Sequence, residues 1–191
     1  MSPRTFSIVV RQGSSLNQLR LKVGQCRLSD GEMRGLHDET PLIDADADIE
    51  GGVGVRARIA GPAGEVVGWR ARRHAALIDV DAPGALDAED YFEPIAAPKT
   101  GFIILDPDEF YILASKEALS VPPEYAAEMT PINPGLGEFR VHYAGFFDPG
   151  FGWLRPSRAV LEVRSHDAPF VLEDGQLVAR RRRLRRGARR V

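Results

Sequence analysis

The 191-residue chain is poor in the residues that build covalent or metal frameworks. It has one cysteine, Cys26, so a disulfide scaffold and any multi-cysteine metal site are excluded. Its four histidines, His37, His74, His142 and His166, show no metal-ligand spacing, and neither H-E-x-x-H nor C-x-x-C occurs. The H-x-E and P-C-x-x-C signature of zinc nucleobase deaminases is absent as well, which argues against a zinc site. No Walker, Rossmann or G-x-S-x-G pattern appears, and the GGVG stretch at 51–54 reads as a loop entering a strand. No apolar run approaches the roughly 20 residues that span a bilayer. The N-terminus lacks the basic start, long apolar core and cleavage site of a signal peptide. These absences predict a cytoplasmic protein with no membrane association.

What is present is a balanced but uneven charge. Lys plus Arg is 25 and Asp plus Glu is 27, a net charge of −2. From Arg180 onward there are eight arginines and no acid. Without those eight, 17 basic residues face 27 acidic ones, a net charge of −10. A uniformly basic nucleic-acid binder is excluded, and the acidic body argues against nucleic acid as the partner. Hydrophobic residues make up 43% of the chain, enough for one buried core.

The patterning is that of strands. Residues 4–11 and 53–59 are β-branched or alternate apolar with basic. Residues 65–80 hold two apolar runs about a basic centre, a bent strand or a hairpin. Residues 102–105 and 110–114 flank the turn sequence Asp106-Pro107-Asp108-Glu109. Residues 138–144 alternate. In 159–165, Leu161 and Val163 oppose Val160, Glu162 and Arg164. A last strand near 169–172 turns at Glu173-Asp174-Gly175. The best helix candidate is 122–129, opened by prolines. The polar, acidic stretch 29–50 reads as a linker or exposed loop. Residues 168–180 weakly repeat the pattern of residues 5–20, which suggests that residues 1–28 end one repeat and that a second copy follows.

Two places carry candidate chemistry. Asp148-Pro149-Gly150 is a turn by composition, and the aromatic residues around it (Tyr143, Phe146, Phe147, Phe151, Trp153) suit either a core or a flat apolar ring. Glu162 sits in an otherwise apolar strand. Such a carboxylate is ordinarily on the solvated face, whereas burial of that face would raise its pKa and make it a proton carrier near neutrality.

Residues 110–129 followed by 138–163 resemble the trimeric dUTPase-like fold, and within it the dCTP deaminases. The resemblance rests on Val121-Pro122, PEYAAEM, Ala144, Asp148-Pro149-Gly150 and Val160-Leu161-Glu162. It extends over nearly all of 1–178, with the first 21 residues similar to the closing strands of the same fold. It implies an all-β, distorted β-barrel or jelly roll with little helix, and the C-terminal half of the long, two-repeat enzymes. The division is 1–28 as closing strands of a preceding repeat, 29–50 as linker or exposed loop, and 51–178 as the deaminase domain; after Val178 the resemblance predicts another alternating strand, whereas the run ARRRRLRRGARRV over 179–191 reads by composition as a disordered basic tail. It also implies an activity, hydrolytic deamination of dCTP to dUTP and ammonia. Glu162 would be the catalytic acid/base, and Ala144, Phe147, Asp148, Val160 and Leu161 would line the base and sugar pocket. Mg²⁺ would arrive with the triphosphate, no zinc would be needed, and the assembly would be a homotrimer or pseudo-trimer. The family's phosphate-binding Gly-Arg-Ser-Ser segment should fall between Met129 and Glu138, yet residues 130–137 are TPINPGLG, without arginine or serine. Backbone amides alone substitute poorly for charge-assisted bonds to a triphosphate. Three readings follow: a dCTP deaminase, a catalytically incomplete structural repeat, and a nucleic-acid module acting through its arginines.

Overall fold

The computed structural model describes residues 5–16, 27–131, 140–141, 146–165 and 168–185. The elements in chain order are β1 (Ile8–Val9), α1 (Asp30–Glu39), β2 (Val53–Arg56), β3 (Val66–Ala71), β4 (Ile78–Asp79), β5 (Phe92–Ala96), β6 (Phe102–Leu105), β7 (Phe110–Leu119), β8 (Tyr125–Pro131), β9 (Arg140–Val141), β10 (Phe146–Phe147), β11 (Ser157–Arg164), β12 (Phe170–Glu173) and β13 (Leu177–Arg185). Two sheets dominate. One has the order β5-β3-β7-β11-β9 and the other β10-β8-β13-β2. The ribbons β1-β4 and β12-β6 flank them. The sheets meet where Ala57, just past β2, bridges to Ser115 of β7. One apolar cluster fills the space between, with Val53, Val55, Leu113, Leu161 and Leu172 among its buried members. The expectation of a mostly β fold is therefore met. Among the described residues no helix is long and apolar enough to cross a membrane.

Three expectations need correction. Residues 29–50 are not a linker. They begin with α1, whose capping box pairs Ser29 with Glu32: the Glu32 amide donates to the Ser29 hydroxyl at 3.3 Å and the Ser29 amide donates to the Glu32 carboxylate at 2.8 Å. Met33, Leu42, Ile43 and Ile49 from this stretch are core residues. The expected helix at 122–129 is instead the start of β8, which pairs with β13 from Tyr125↔Arg185 to Pro131↔Ala179. Seven rows of pairing and the burial of Ala127 and Met129 outweigh the local preference of an Ala-Glu-Met sequence. The basic tail is also ordered through Arg185. β13 lies between β8 and β2, and Arg181 is completely buried. The stretch 65–80 resolves as a broken strand, because β3 and β4 join different sheets on either side of His74, whose φ is 59°.

Polar groups fix the joins. Glu117 is buried and accepts from the Arg56 amide at 2.9 Å and from its guanidinium at 3.3 Å, which ties β7 to β2. Asp174, in the turn after β12, accepts from the amides of Ile59 and Ala60 at 2.9 and 3.0 Å and from Lys116. Burial works to raise the Asp174 carboxyl, but the Ala60 amide, the Lys116 ammonium and the Ile59 amide outweigh it and hold it below its ordinary 3.8. A depressed folded value contributes stability that is complete above 3.8 and lost as pH falls through the lower folded value. Asp174→Asn is therefore expected to flatten the loss of stability below about pH 4, read as urea midpoint against pH.

The turn after β10 depends on glycine. Gly152 has φ +63°, and a Cβ there would overlap the Leu119 carbonyl oxygen. Gly152→Ala is expected to cost about 2 kcal/mol from strain and displacement together, measured by denaturant unfolding.

Candidate active site

β11 carries the Glu162 candidate, and its geometry follows from a bulge near its start. The register with β7 shifts between Arg158 and Val160. The Ser115 hydroxyl repairs the break, accepting from the Ala159 amide at 2.8 Å and donating to the Glu117 carbonyl at 2.6 Å. Arg158 adds bonds to the carbonyls of Ser115 and Lys116. Beyond the bulge the alternation is regular. Ala159, Leu161 and Val163 enter the core, while Val160, Glu162 and Arg164 take the other face.

On that outer face Glu162 stands opposite Ile112 of β7, and Ile112 stands opposite Trp69 of β3. Ile112, Trp69 and Glu162 are all half-buried, and Val160 is 61% exposed. Glu162 is thus the carboxylate at one end of an apolar row. Among the described residues no hydrogen bond or ion pair engages it. A carboxylate in this setting can accept a proton from a bound water and return it.

The other expected site residues are distributed between the two sheets. Val160 shares the outer face with Glu162. The Leu161 side chain is fully buried in the core, so only its backbone could face a ligand. Phe147 lies in the other sheet, opposite Ala127, 7% exposed and with its ring 4.9 Å from that of Phe151. Asp148 is exposed in the turn, where its carbonyl accepts from the Phe151 amide at 3.0 Å. The Gly150 amide returns to the Val121 carbonyl at 3.1 Å, so the turn is fastened to the end of β7. Ala144 lies outside the described residues, as does most of the stretch 130–137 in which a phosphate-binding segment was sought. Among the described residues no group of three or more His, Cys, Asp or Glu is placed to hold a metal ion.

Sequence reading gave no role to Arg164. It lies on the Glu162 face of β11 and is only 4% exposed. A cation two positions from a candidate carboxylate in an apolar strand is the signal that marks it.

Comparison with known proteins bears on these observations. The family described as "2'-deoxycytidine 5'-triphosphate deaminase (DCD), C-terminal domain" matches residues 29–188, and the corresponding N-terminal domain family matches residues 1–25. A crystal structure of 2'-deoxycytidine 5'-triphosphate deaminase from Agrobacterium tumefaciens is similar at a TM-score of 0.90 and 48% identity. The match covers 96% of this chain and 57% of that one, so the present chain spans a little over half the length of its relative. A search of the curated proteins gave no match. With the C-terminal domain family matching from α1 through β13, the chain belongs to the 2'-deoxycytidine 5'-triphosphate deaminase family.

Proposed function

We propose that this chain supplies the base-processing part of a cytoplasmic dCTP deaminase, which converts dCTP and water into dUTP and ammonia. Glu162 is the general acid and base. Its carboxylate takes a proton from water, the resulting hydroxide adds to C4 of the cytosine, and the carboxylic acid passes that proton to the ring nitrogen. The carboxylate then takes the remaining proton from the C4 hydroxyl and delivers it to the amine, so the C4–amine bond breaks, ammonia departs and the uracil carbonyl forms. The substrate is the Mg²⁺ complex of the nucleotide. Backbone groups near Ala144, Phe147 and Asp148, with Val160 and Leu161, line the base and sugar. The observation that carries this reading is the half-buried Glu162, free of ion pairs among the described residues and flanked by apolar neighbours, in a chain of this family.

Residues 1–28 are read as the closing strands of a preceding repeat, in keeping with the order of the two family matches. A second reading is favoured by one observation. Residues 130–137, TPINPGLG, offer no arginine or serine to a triphosphate. On that reading the chain is a structural repeat of a homotrimer or pseudo-trimer, with phosphate held by another repeat or subunit. Ammonia release from dCTP separates the two, measured with this chain alone and with an upstream N-terminal repeat joined to it. Release that depends on Glu162 supports the enzyme. Absence of release from both proteins supports the structural repeat.

A further inference from the structure

Arg164 follows Glu162 by two residues on β11 and shares its face, yet it is almost sealed from solvent. A guanidinium at that depth requires acceptors for its donors. One nitrogen donates to the Asp108 carbonyl at 2.8 Å and another to the Thr5 hydroxyl at 2.6 Å. These acceptors come from distant parts of the chain. Asp108 lies in the turn between β6 and β7, with φ 60°, and its amide donates to the Ser165 carbonyl at 3.0 Å. Pro107 pairs with Ser165 in a parallel bridge. The turn and the end of β11 therefore hold each other around Arg164.

Thr5 belongs to the segment that matches the N-terminal domain family, whereas Arg164 belongs to the C-terminal one. The described residues of the N-terminal segment, 5–16, are held by several contacts. The Phe6 ring meets Tyr91 and Phe92 edge-on at 5.6 and 5.3 Å. β1 pairs in parallel with β4, and the Arg11 guanidinium grips the Asp79 carboxylate with bonds of 2.7 and 2.8 Å.

We propose that Arg164 is a positioning residue for Glu162 and that Thr5 completes its hold, so the N-terminal segment fixes the geometry of a carboxylate in the C-terminal domain. The proposal rests on the acid/base reading of Glu162. With no hydrogen bond of its own among the described residues, the Glu162 side chain takes its direction from the backbone of β11. That backbone is pinned at its start by Ser115 and Arg158 and at its far end by Arg164. Misplacement of a reacting group by about 1 Å costs on the order of a hundredfold in rate. The pairing with β7 continues to hold β11, so loss of the Thr5 bond alone is expected to cost less.

The test uses the full chain, joined to the upstream repeat if turnover requires it. Thr5→Val keeps the side-chain shape and removes the hydroxyl, whereas Thr5→Ser keeps the hydroxyl. Thr5→Val is expected to lower kcat for dCTP about tenfold with KM within about twofold, and Thr5→Ser to restore it. Arg164→Lys is expected to recover part of what Arg164→Met loses. Wild-type kcat in Thr5→Val overturns the proposal. Amide exchange of the unliganded proteins judges the hold without turnover. Residues 161–164 are expected to exchange about tenfold faster in Thr5→Val than in wild type or Thr5→Ser, and equal rates overturn the proposal. Glu162→Gln keeps the two ideas apart. Full turnover in that variant overturns the acid/base reading itself. Lost turnover there, with wild-type rates in Thr5→Val, overturns only the positioning role.

Discussion

Glu162→Gln is expected to lower the proposed deamination of dCTP by about 10³-fold while the protein stays folded. Proton transfer by a positioned side chain contributes roughly 10²–10⁴-fold, and glutamine can neither take the proton from water nor return it to the departing nitrogen. Its shape is nearly that of glutamate, so KM should change only about twofold. The fold should be indifferent, because Glu162 is half-buried and has no ion pair among the described residues. Glu162→Asp is the companion variant. It keeps the proton chemistry but withdraws the carboxylate by one methylene, about 1 Å, and should lose on the order of a hundredfold. Ammonia release and dUTP formation measure both variants, and thermal unfolding checks the fold. Turnover within about tenfold of wild type in the glutamine variant would assign the proton transfers to another group.

The largest expected effect on stability lies in the opposite part of the molecule. Arg181 is completely buried in β13. Its guanidinium donates to the Leu42 carbonyl at 2.9 Å and the Ser120 carbonyl at 3.2 Å. The Ser120 amide also donates to the Leu42 carbonyl at 2.9 Å, while Asp44 bonds Ala118 through both its amide and its carboxylate. Arg181 therefore clips the segment after α1 to the end of β7 from the neighbouring sheet. Arg181→Ala removes one donor from each of two carbonyls, of which that of Leu42 keeps the Ser120 amide, and empties a large volume. Lost hydrogen bonding at a buried acceptor costs about 1–3 kcal/mol, and large-to-small core changes cost about 2–5 kcal/mol. A loss of about 4 kcal/mol is expected, or roughly 10 °C in Tm for a domain of this size. Arg181→Lys should recover only part of it, since one ammonium cannot reproduce the fork geometry. Urea unfolding of the three proteins measures the difference, and a loss below about 1 kcal/mol would place the anchoring of residues 41–44 elsewhere.

The contrast between these sites explains what the sequence made legible. The alternation of Leu161 and Val163 against Val160, Glu162 and Arg164 is a property of one strand, and it appears in the structure as read. So does the turn at Asp106–Glu109, whose residues favour it locally. The arginines of β13 carried the opposite impression. A run of like charges reads as a solvated tail unless a partner hundreds of atoms away offers acceptors, and the acceptors of Arg181 are backbone carbonyls that composition cannot reveal. α1 was obscured differently. Its Ser29–Glu32 capping box is visible in the sequence, but Gly31, Gly35 and the acids around them leave Met33 as its only fully buried residue. β8 was misread because its Ala-Glu-Met composition favours a helix, whereas pairing with β13 decides the outcome. The Thr5–Arg164 bond spans 159 residues and has no local signature.

The position of β13 also governs when this domain can fold. It is the inner strand that joins β8 to β2, and Arg180 reaches Gly52 across 128 residues. During synthesis β2 and β8 emerge from the ribosome well before the strand that unites them. Until then each presents an unpaired edge of the kind that recruits foreign strands, and long-range closure of this sort is slow. The nascent chain therefore carries these open edges on β2 and β8 until β13 is inserted between them.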